Sequence, residues 1–199
     1  MPEAIPPVVE NRLRDYAGLL ERFAPTLGLL GPGDVADLWE RHILDSLRGL
    51  RCIEPTDADI ADVGSGGGLP GIPIAIALPD RKVFLIESNR RRAGFLELSL
   101  DQLELTNAKV LIERVENIDL RVDVCLARAF APPLRTWSHA SRLLNDRGRV
   151  LYYAGQSWKP DVVASLRRAG AMVSECGPPS SAGAGPVISM SRVVRAGRR

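Results

Sequence analysis

Histidine and cysteine are scarce in this chain, with 2 and 3 among 199 residues. His42 and His139 stand far apart, and no CxxC pair or His-rich tract accompanies them, so no metal site is expected. Cys52, Cys125 and Cys176 are odd in number and widely spaced, which is no disulfide framework. They are expected to be reduced and mostly buried, as in a cytoplasmic protein. Cys125 lies inside an apolar run and reads as a core residue rather than a nucleophile. No run of 18 apolar residues occurs, so no helical membrane span is expected. The opening MPEAIPPVVENRLRDY is acidic and proline-bearing, unlike a secretory signal. Aromatic residues make up 5%, and no string of them forms an RNA-stacking motif.

What is present suits a globular chain. A 45% hydrophobic fraction over this length can fill the core of one domain without disulfides. The formal net charge of +2 conceals a gradient. Residues 1–60 hold 6 Lys+Arg against 11 Asp+Glu, and residues 61–199 hold 20 against 13, so the two parts carry −5 and +7. Four arginines fall in Arg192–Arg199, a tail suited either to polyanion contact or simply to solvent.

The first 56 residues read as helices packed on a core formed by residues 57–199. Over 6–26, Val9, Leu13, Tyr16, Leu20 and Phe23 recur at helical steps. Gly-Pro-Gly at 31–33 breaks that helix, and Asp34 is a plausible N-cap for a second one over 35–51. From residue 58 the rhythm changes. Five short apolar runs (58–63, 82–87, 108–113, 122–127, 149–154) alternate with segments of helix length near 70–79, 89–105, 131–145 and 159–169. That alternation predicts an α/β fold with a parallel sheet covered on both faces. Two further runs, 171–176 and 187–194, can close the sheet as an antiparallel hairpin, with a flexible loop over 177–186.

The most informative stretch is ADVGSGGGLPGIPIAIA, residues 61–77. A strand ends at Val63, a helix starts near Pro70, and Gly64, Gly66, Gly67 and Gly68 lie between them. Such a loop, at the carboxyl end of the first strand, is where open α/β sheets bind ligands. The dinucleotide pattern fails because Leu69 stands where its third glycine belongs, and no Gly-Lys-Ser/Thr ends a phosphate loop. Asp62 at the loop mouth would repel a pyrophosphate and favour a cationic ligand such as S-adenosylmethionine, or else cap the loop. Glu87, closing the second strand, can accept both ribose hydroxyls of a nucleoside.

Several segments carry a resemblance to a known family. The run VGSGGGLPGIPIAIALP, the upstream LWERHILDSL (38–47), RVEN (114–117) and ARAFAPP (127–133) resemble, in order and spacing, segments of the RsmG (GidB) family, which methylates guanine N7 in small-subunit ribosomal RNA. The resemblance implies a class I methyltransferase: a Rossmann-like, mostly parallel seven-stranded sheet with helices on both faces, preceded here by the helical cap. It implies that Gly64 and Leu69 frame the methionine end of S-adenosylmethionine, that Glu87 holds the ribose, and that Val115 and Glu116 bracket the adenine; Asp62, Ser65 and Gly66 are expected to complete the cofactor site. Arg128 would face both cofactor and incoming base, as the catalytic, orienting residue. One departure stands out. Where the family usually has Leu-Lys-Gly-Gln after the fifth strand, this chain has Tyr153, Ala154, Gly155 and Gln156.

The expected chemistry is economical. Guanine N7 offers a lone pair and no proton, so attack on a sulfonium methyl needs no general base, only alignment. RNA contact is expected from Arg90, Arg91 and Arg92, with Arg41 and His42 adding to it, although three successive arginines cannot share one helix face. The expected partner is 16S ribosomal RNA or a precursor of the small subunit, met by a monomer in the cytoplasm. Two other readings stay open: a methyltransferase for a small molecule, and a non-catalytic RNA- or ribosome-binding relative.

Overall fold

The computed structural model describes residues 5–31, 35–156, 158–177 and 185–193. Seven strands form one sheet: β1 Asp59–Val63, β2 Lys82–Ile86, β3 Ala108–Leu111, β4 Val122–Arg128, β5 Leu144–Tyr153, β6 Ala171–Cys176 and β7 Val187–Arg192. Their order is β3-β2-β1-β4-β5-β7-β6. The first five are parallel, and β7 runs antiparallel between β5 and β6. The chain reverses its direction of travel between β1 and β4, which places the topological switch point, and hence the ligand crevice, directly above β1.

Side chains alternate between the two faces, as the two-residue period of a strand requires. Along β4, Val124 and Leu126 join one core cluster, whereas Cys125 and Ala127 join the other. The first cluster lies under α1 (Pro7–Leu27), α3 (Gly71–Ala77) and α4 (Arg90–Gln102). Leu13 and Leu20 of α1 are fully buried there, each worth about 1.5–3 kcal/mol against exposure. The second lies under α5 (Pro133–Ala140) and α6 (Val162–Arg168), where the Trp137 indole donates to the Ala169 carbonyl at 3.1 Å. The seven apolar runs all become strands, and β6 and β7 form the expected hairpin.

The cap differs from its sequence expectation. The segment read as one helix over 35–51 is instead a π-helical turn at Trp39–Leu44, the single α turn α2 at Asp45–Leu47, and a 3-10 turn at Arg48–Cys52. Asp34, the expected N-cap, lies outside the described residues. The cause is tertiary. Arg128 donates to the carbonyls of Arg41 (2.9 Å) and His42 (3.3 Å) from across the chain, and the local Ser46 hydroxyl also donates to His42 O at 2.6 Å. Carbonyls drawn outward in this way leave the regular i→i−4 ladder, and the helix widens into a π turn.

The cysteine reading is corrected as well. Cys52, at the end of the cap, and Cys176, at the end of β6, form a disulfide, and only Cys125 among the described cysteines is free. Their separation of 124 residues hides the pairing from any local pattern. Arg149 reinforces the junction by donating to Cys52 O at 2.9 and 2.8 Å while pairing with Asp57. No described helix is long and apolar enough to cross a membrane.

Candidate active site

The glycine loop forms as the sequence predicts, and its backbone explains its composition. Gly64, Gly66 and Gly68 adopt φ of +68°, +57° and +89°, where a side chain is strained. A Cβ on Gly64 would also lie 2.6 Å from Cδ2 of Phe130. The loop is pinned from beneath. The amides of Gly64 and Ser65 both donate to Ile86 O, at 2.9 and 3.0 Å, and Gly68 N donates to Ser65 O at 2.7 Å. Tyr16, buried on α1, donates its hydroxyl to the Gly67 carbonyl. Burial, helped by the nearby Asp62 charge, raises the Tyr16 pKa well above a free phenol, so the hydroxyl keeps the proton it donates. Sequence reasoning counted Tyr16 only as part of a helical stripe.

Asp62 does not stand at the loop mouth. It shares strand parity with Ile60, whose side chain joins the core beneath α1 and α3, and it is 1% exposed. Its Oδ2 accepts from the Gly71 amide at 3.1 Å, at the start of α3. Burial is the main cause that raises its pKa to about 7, opposed by hydrogen bonds from Ser65 and Gly71 and by the charge of Arg128. Ser65 also turns inward, its hydroxyl donating to Asp62 O at 2.9 Å. These two side chains therefore build the loop from below instead of facing a ligand. The two-residue period of β1 was the available signal.

Glu87 follows β2 directly and is 6% exposed. Its carboxylate accepts from Gly66 N at 3.0 Å and from Asn89 N at 2.7 Å, so it ties the loop to the start of α4. An ionised carboxylate offers about four lone-pair directions, and two amides leave capacity for ribose hydroxyls. Leu69 packs, half-buried, against the α1 side of the core. Across the crevice, Val115 is buried in a 3-10 turn, while the exposed Glu116 lies 3.7 Å from His139. The His139 ring meets Phe130 edge-on at 6.1 Å. Phe130 is aimed by Ala129, whose φ of +52° is a left-handed turn that a non-glycine residue adopts at a cost of about 1–2 kcal/mol. The cradle has the shape for a nucleoside: backbone that no Cβ could line at Gly64, a buried carboxylate 23 residues on, and an aromatic ring closing over the glycine.

Beside this loop, a cleft of about 380 Å³ opens at the carboxyl ends of β4 and β5. It brings together Arg41, His42 and Arg128 from the expected set, and adds Asp45, Tyr152 and Tyr153, which sequence reasoning missed. Arg128 is more firmly held than expected. Beyond the two cap carbonyls, it stands 2.9 Å from His42 Nδ1 and 3.7 Å from Asp45 Oδ2. Arginine only donates, so Nδ1 must accept and the imidazole is neutral there, with its proton on Nε2. Asp45 also takes a 2.7 Å bond from Arg48. Tyr153 anchors the cap through a 2.6 Å bond to Ser46 O. Tyr152 sits on the other face, 3.4 Å from Ala131 O and beside the Trp158 ring. Ala154, where a lysine was expected, is a small buried cleft residue whose amide donates to Pro186 O at 3.0 Å.

Arg90, Arg91 and Arg92 do not join the cleft. They open α4 on the exposed surface, capped by Asn89, whose side chain accepts from Arg91 N and Arg92 N. Arg92 reaches back to Gly28 O at 3.3 Å. Among the described residues no group of three or more His, Cys, Asp or Glu side chains is placed to hold a metal ion.

Comparison with known proteins places this geometry. The family model GidB, described as rRNA small subunit methyltransferase G, matches residues 9–174. The ribosomal RNA small subunit methyltransferase G of Paracoccus denitrificans (strain Pd 1222) is 37% identical over 154 residues, covering 76% of this chain and 79% of that one. Its namesake from Paramagnetospirillum magneticum (strain AMB-1) is 34% identical over 190 residues, covering 94% and 90%. Among solved structures, a SAM-dependent methyltransferase from Aquifex aeolicus matches with a TM-score of 0.58 at 16% identity, over 81% of this chain and 97% of that one. At that identity the likeness concerns the fold, which is the class I methyltransferase fold.

Proposed function

We propose a function on one premise: this chain belongs to the GidB family of small-subunit rRNA methyltransferases. It is an S-adenosylmethionine-dependent methyltransferase of 16S ribosomal RNA, and its acceptor atom is a guanine N7. The partner is 16S RNA or a small-subunit precursor, met by a monomer in the cytoplasm. One observation supports the finer reading above all others. The 380 Å³ cleft containing Arg128 adjoins the glycine loop, with Phe130, two residues on, lying over Gly64.

Bound S-adenosylmethionine supplies an electrophilic methyl group. The chain's residues do the rest. Gly64, Gly66 and Leu69 shape the cradle for its methionine end, Glu87 takes the ribose, and Val115 and Glu116 flank the adenine. Asp62 and Ser65 act one layer below, holding the loop's backbone. Arg128, fixed by two cap carbonyls and Asp45, orients the base entering the cleft, and Arg41 and His42 line the same entrance. No residue need remove a proton, because N7 carries none. His42 fits this scheme, since its Nδ1 lone pair is already occupied by Arg128. Alignment of this kind can account for roughly 7–11 kcal/mol of barrier lowering.

The test is incubation of the purified chain with isotopically labelled S-adenosylmethionine and small subunits lacking the modification. Label should appear as N7-methylguanine in 16S RNA. Label confined to an exocyclic amine, to ribose or to small metabolites would overturn the reading.

A further inference from the structure

The positive charge of residues 61–199 is not accounted for by the acceptor cleft, and a second concavity gathers three of its arginines. The connection from β3 to β4, residues 112–121, contains only the 3-10 turn Val115–Asn117. That leaves the α5 side of the sheet open between this turn and the 3-10 turn Ser141–Leu143. A cleft of about 510 Å³ occupies the gap, lined by Arg121, Arg142 and Arg192 together with Asn117, Glu116 and Asp119.

The three arginines converge from distant parts of the chain. Arg121 leads into β4, whose Val122 pairs with Leu144 just after Arg142, and Arg192 ends β7. Arg192 is held in place by donating to Ser141 O at 2.6 Å. Three guanidinium groups face two carboxylates, Glu116 and Asp119, so the cleft keeps a formal net charge of +1. Asp119 is fully exposed and 3.8 Å from Arg121, a contact of the kind worth about 0–1 kcal/mol and readily exchanged. Arg192 is also the root of the tail, and Arg195, Arg198 and Arg199 follow it within seven residues of sequence. Guanidinium forks match phosphate oxygens in paired geometry.

We infer that this cleft is a second RNA-binding site, gripping backbone phosphates of the substrate RNA through Arg121, Arg142 and Arg192 while the target base occupies the cleft at Arg128. The inference rests on the RNA substrate proposed above. It makes substrate recognition two-handed: one contact presents the base, and another, on the α5 side of the sheet, fixes the register of a folded RNA.

The experiment measures binding of the full chain to 16S RNA transcript across a salt series, beside methylation at saturating RNA. Replacing Arg121→Gln and Arg142→Gln together should reduce the slope of log affinity against log salt by about 1.4–1.8, two phosphates' worth at 0.7–0.9 each. Turnover at saturating RNA and the melting temperature should stay unchanged. Arg121→Lys with Arg142→Lys should restore most of the slope. An unchanged slope in the glutamine variant, from an enzyme that still methylates 16S RNA, overturns the second site alone. A wild-type chain that neither binds nor methylates 16S RNA sinks the proposed function and this inference together.

Discussion

The glycine loop and the acceptor cleft lie side by side at the carboxyl edge of the sheet, yet they are assembled on opposite plans. The loop is largely local. Asp62 and Gly71, which close it, are nine residues apart, and Glu87 reaches Gly66 across 21. The cleft is built from remote pieces. Arg128 meets His42 over 86 residues, and Tyr153 meets Ser46 over 107. Tyr16, 51 residues from Gly67, is a long-range support that the loop borrows from the cap. A local device tolerates change elsewhere but not within itself, whereas an assembled one depends on every element that contributes a wall.

That contrast can be broken most forcefully at Gly64. Gly64→Ala should lose at least ~100-fold in S-adenosylmethionine affinity by titration calorimetry. It should also lose stability, from a left-handed penalty of about 1–2 kcal/mol and overpacking against Phe130 of about 1–3 kcal/mol. Normal cofactor binding by this variant would remove the loop from the site. Arg128→Ala probes the other region. Methyl transfer should fall roughly 100-fold, the loss expected from angstrom-scale misplacement, with cofactor affinity within about threefold of wild type. Arg128→Lys should not rescue it, since a single ammonium does not reproduce the planar fork across two carbonyls. Equal losses in cofactor binding and turnover would mean that the two regions are not separable.

A smaller effect sharpens the loop's side of the comparison. Because the folded pKa of Asp62, about 7, exceeds the ordinary carboxylate value of 3.8, the native state holds a proton that the unfolded chain has released between those values. Stability from this group is therefore complete below the lower value and is lost as pH rises through about 7, by at most about 1.4 kcal/mol per pH unit. Asp62→Asn should flatten that dependence in denaturant melts between pH 5 and 8, and an unaltered profile would show that Asp62 is not the group responsible. The smallest effect belongs to neither region. Glu10→Ala removes the exposed ion pair with Arg14 and should shift stability by under about 0.5 kcal/mol, leaving binding and turnover untouched in the same assays.

The same contrast explains what could be read without coordinates. The strands of the core, the glycine loop and Glu87 follow from short-range pattern, because periodicity and loop chemistry act within a few residues. The orientation of Asp62 is also legible, from its parity with Ile60, although its place next to the loop points to the mouth instead. The broken cap helix was not readable. Its helical periodicity over 35–51 is real, and what overrides it is an arginine 86 residues away that draws off the His42 carbonyl. Tyr152 reads only as a strand residue and Tyr153 only as the start of the Tyr-Ala-Gly-Gln stretch, since nothing local says that β5 ends at a cleft. Arg90–Arg92 are a dense local signal, and the fold sets them on the exposed start of α4, outside the cleft.

The bond between Cys52 and Cys176 has a topological consequence. It turns everything from the first strand to the sixth into a closed ring, with the cap's helices outside it on one end and β7 outside it on the other. A protease nick anywhere between residues 53 and 175 would leave the two fragments travelling as a single species on a non-reducing gel, and they would part only when a thiol is added.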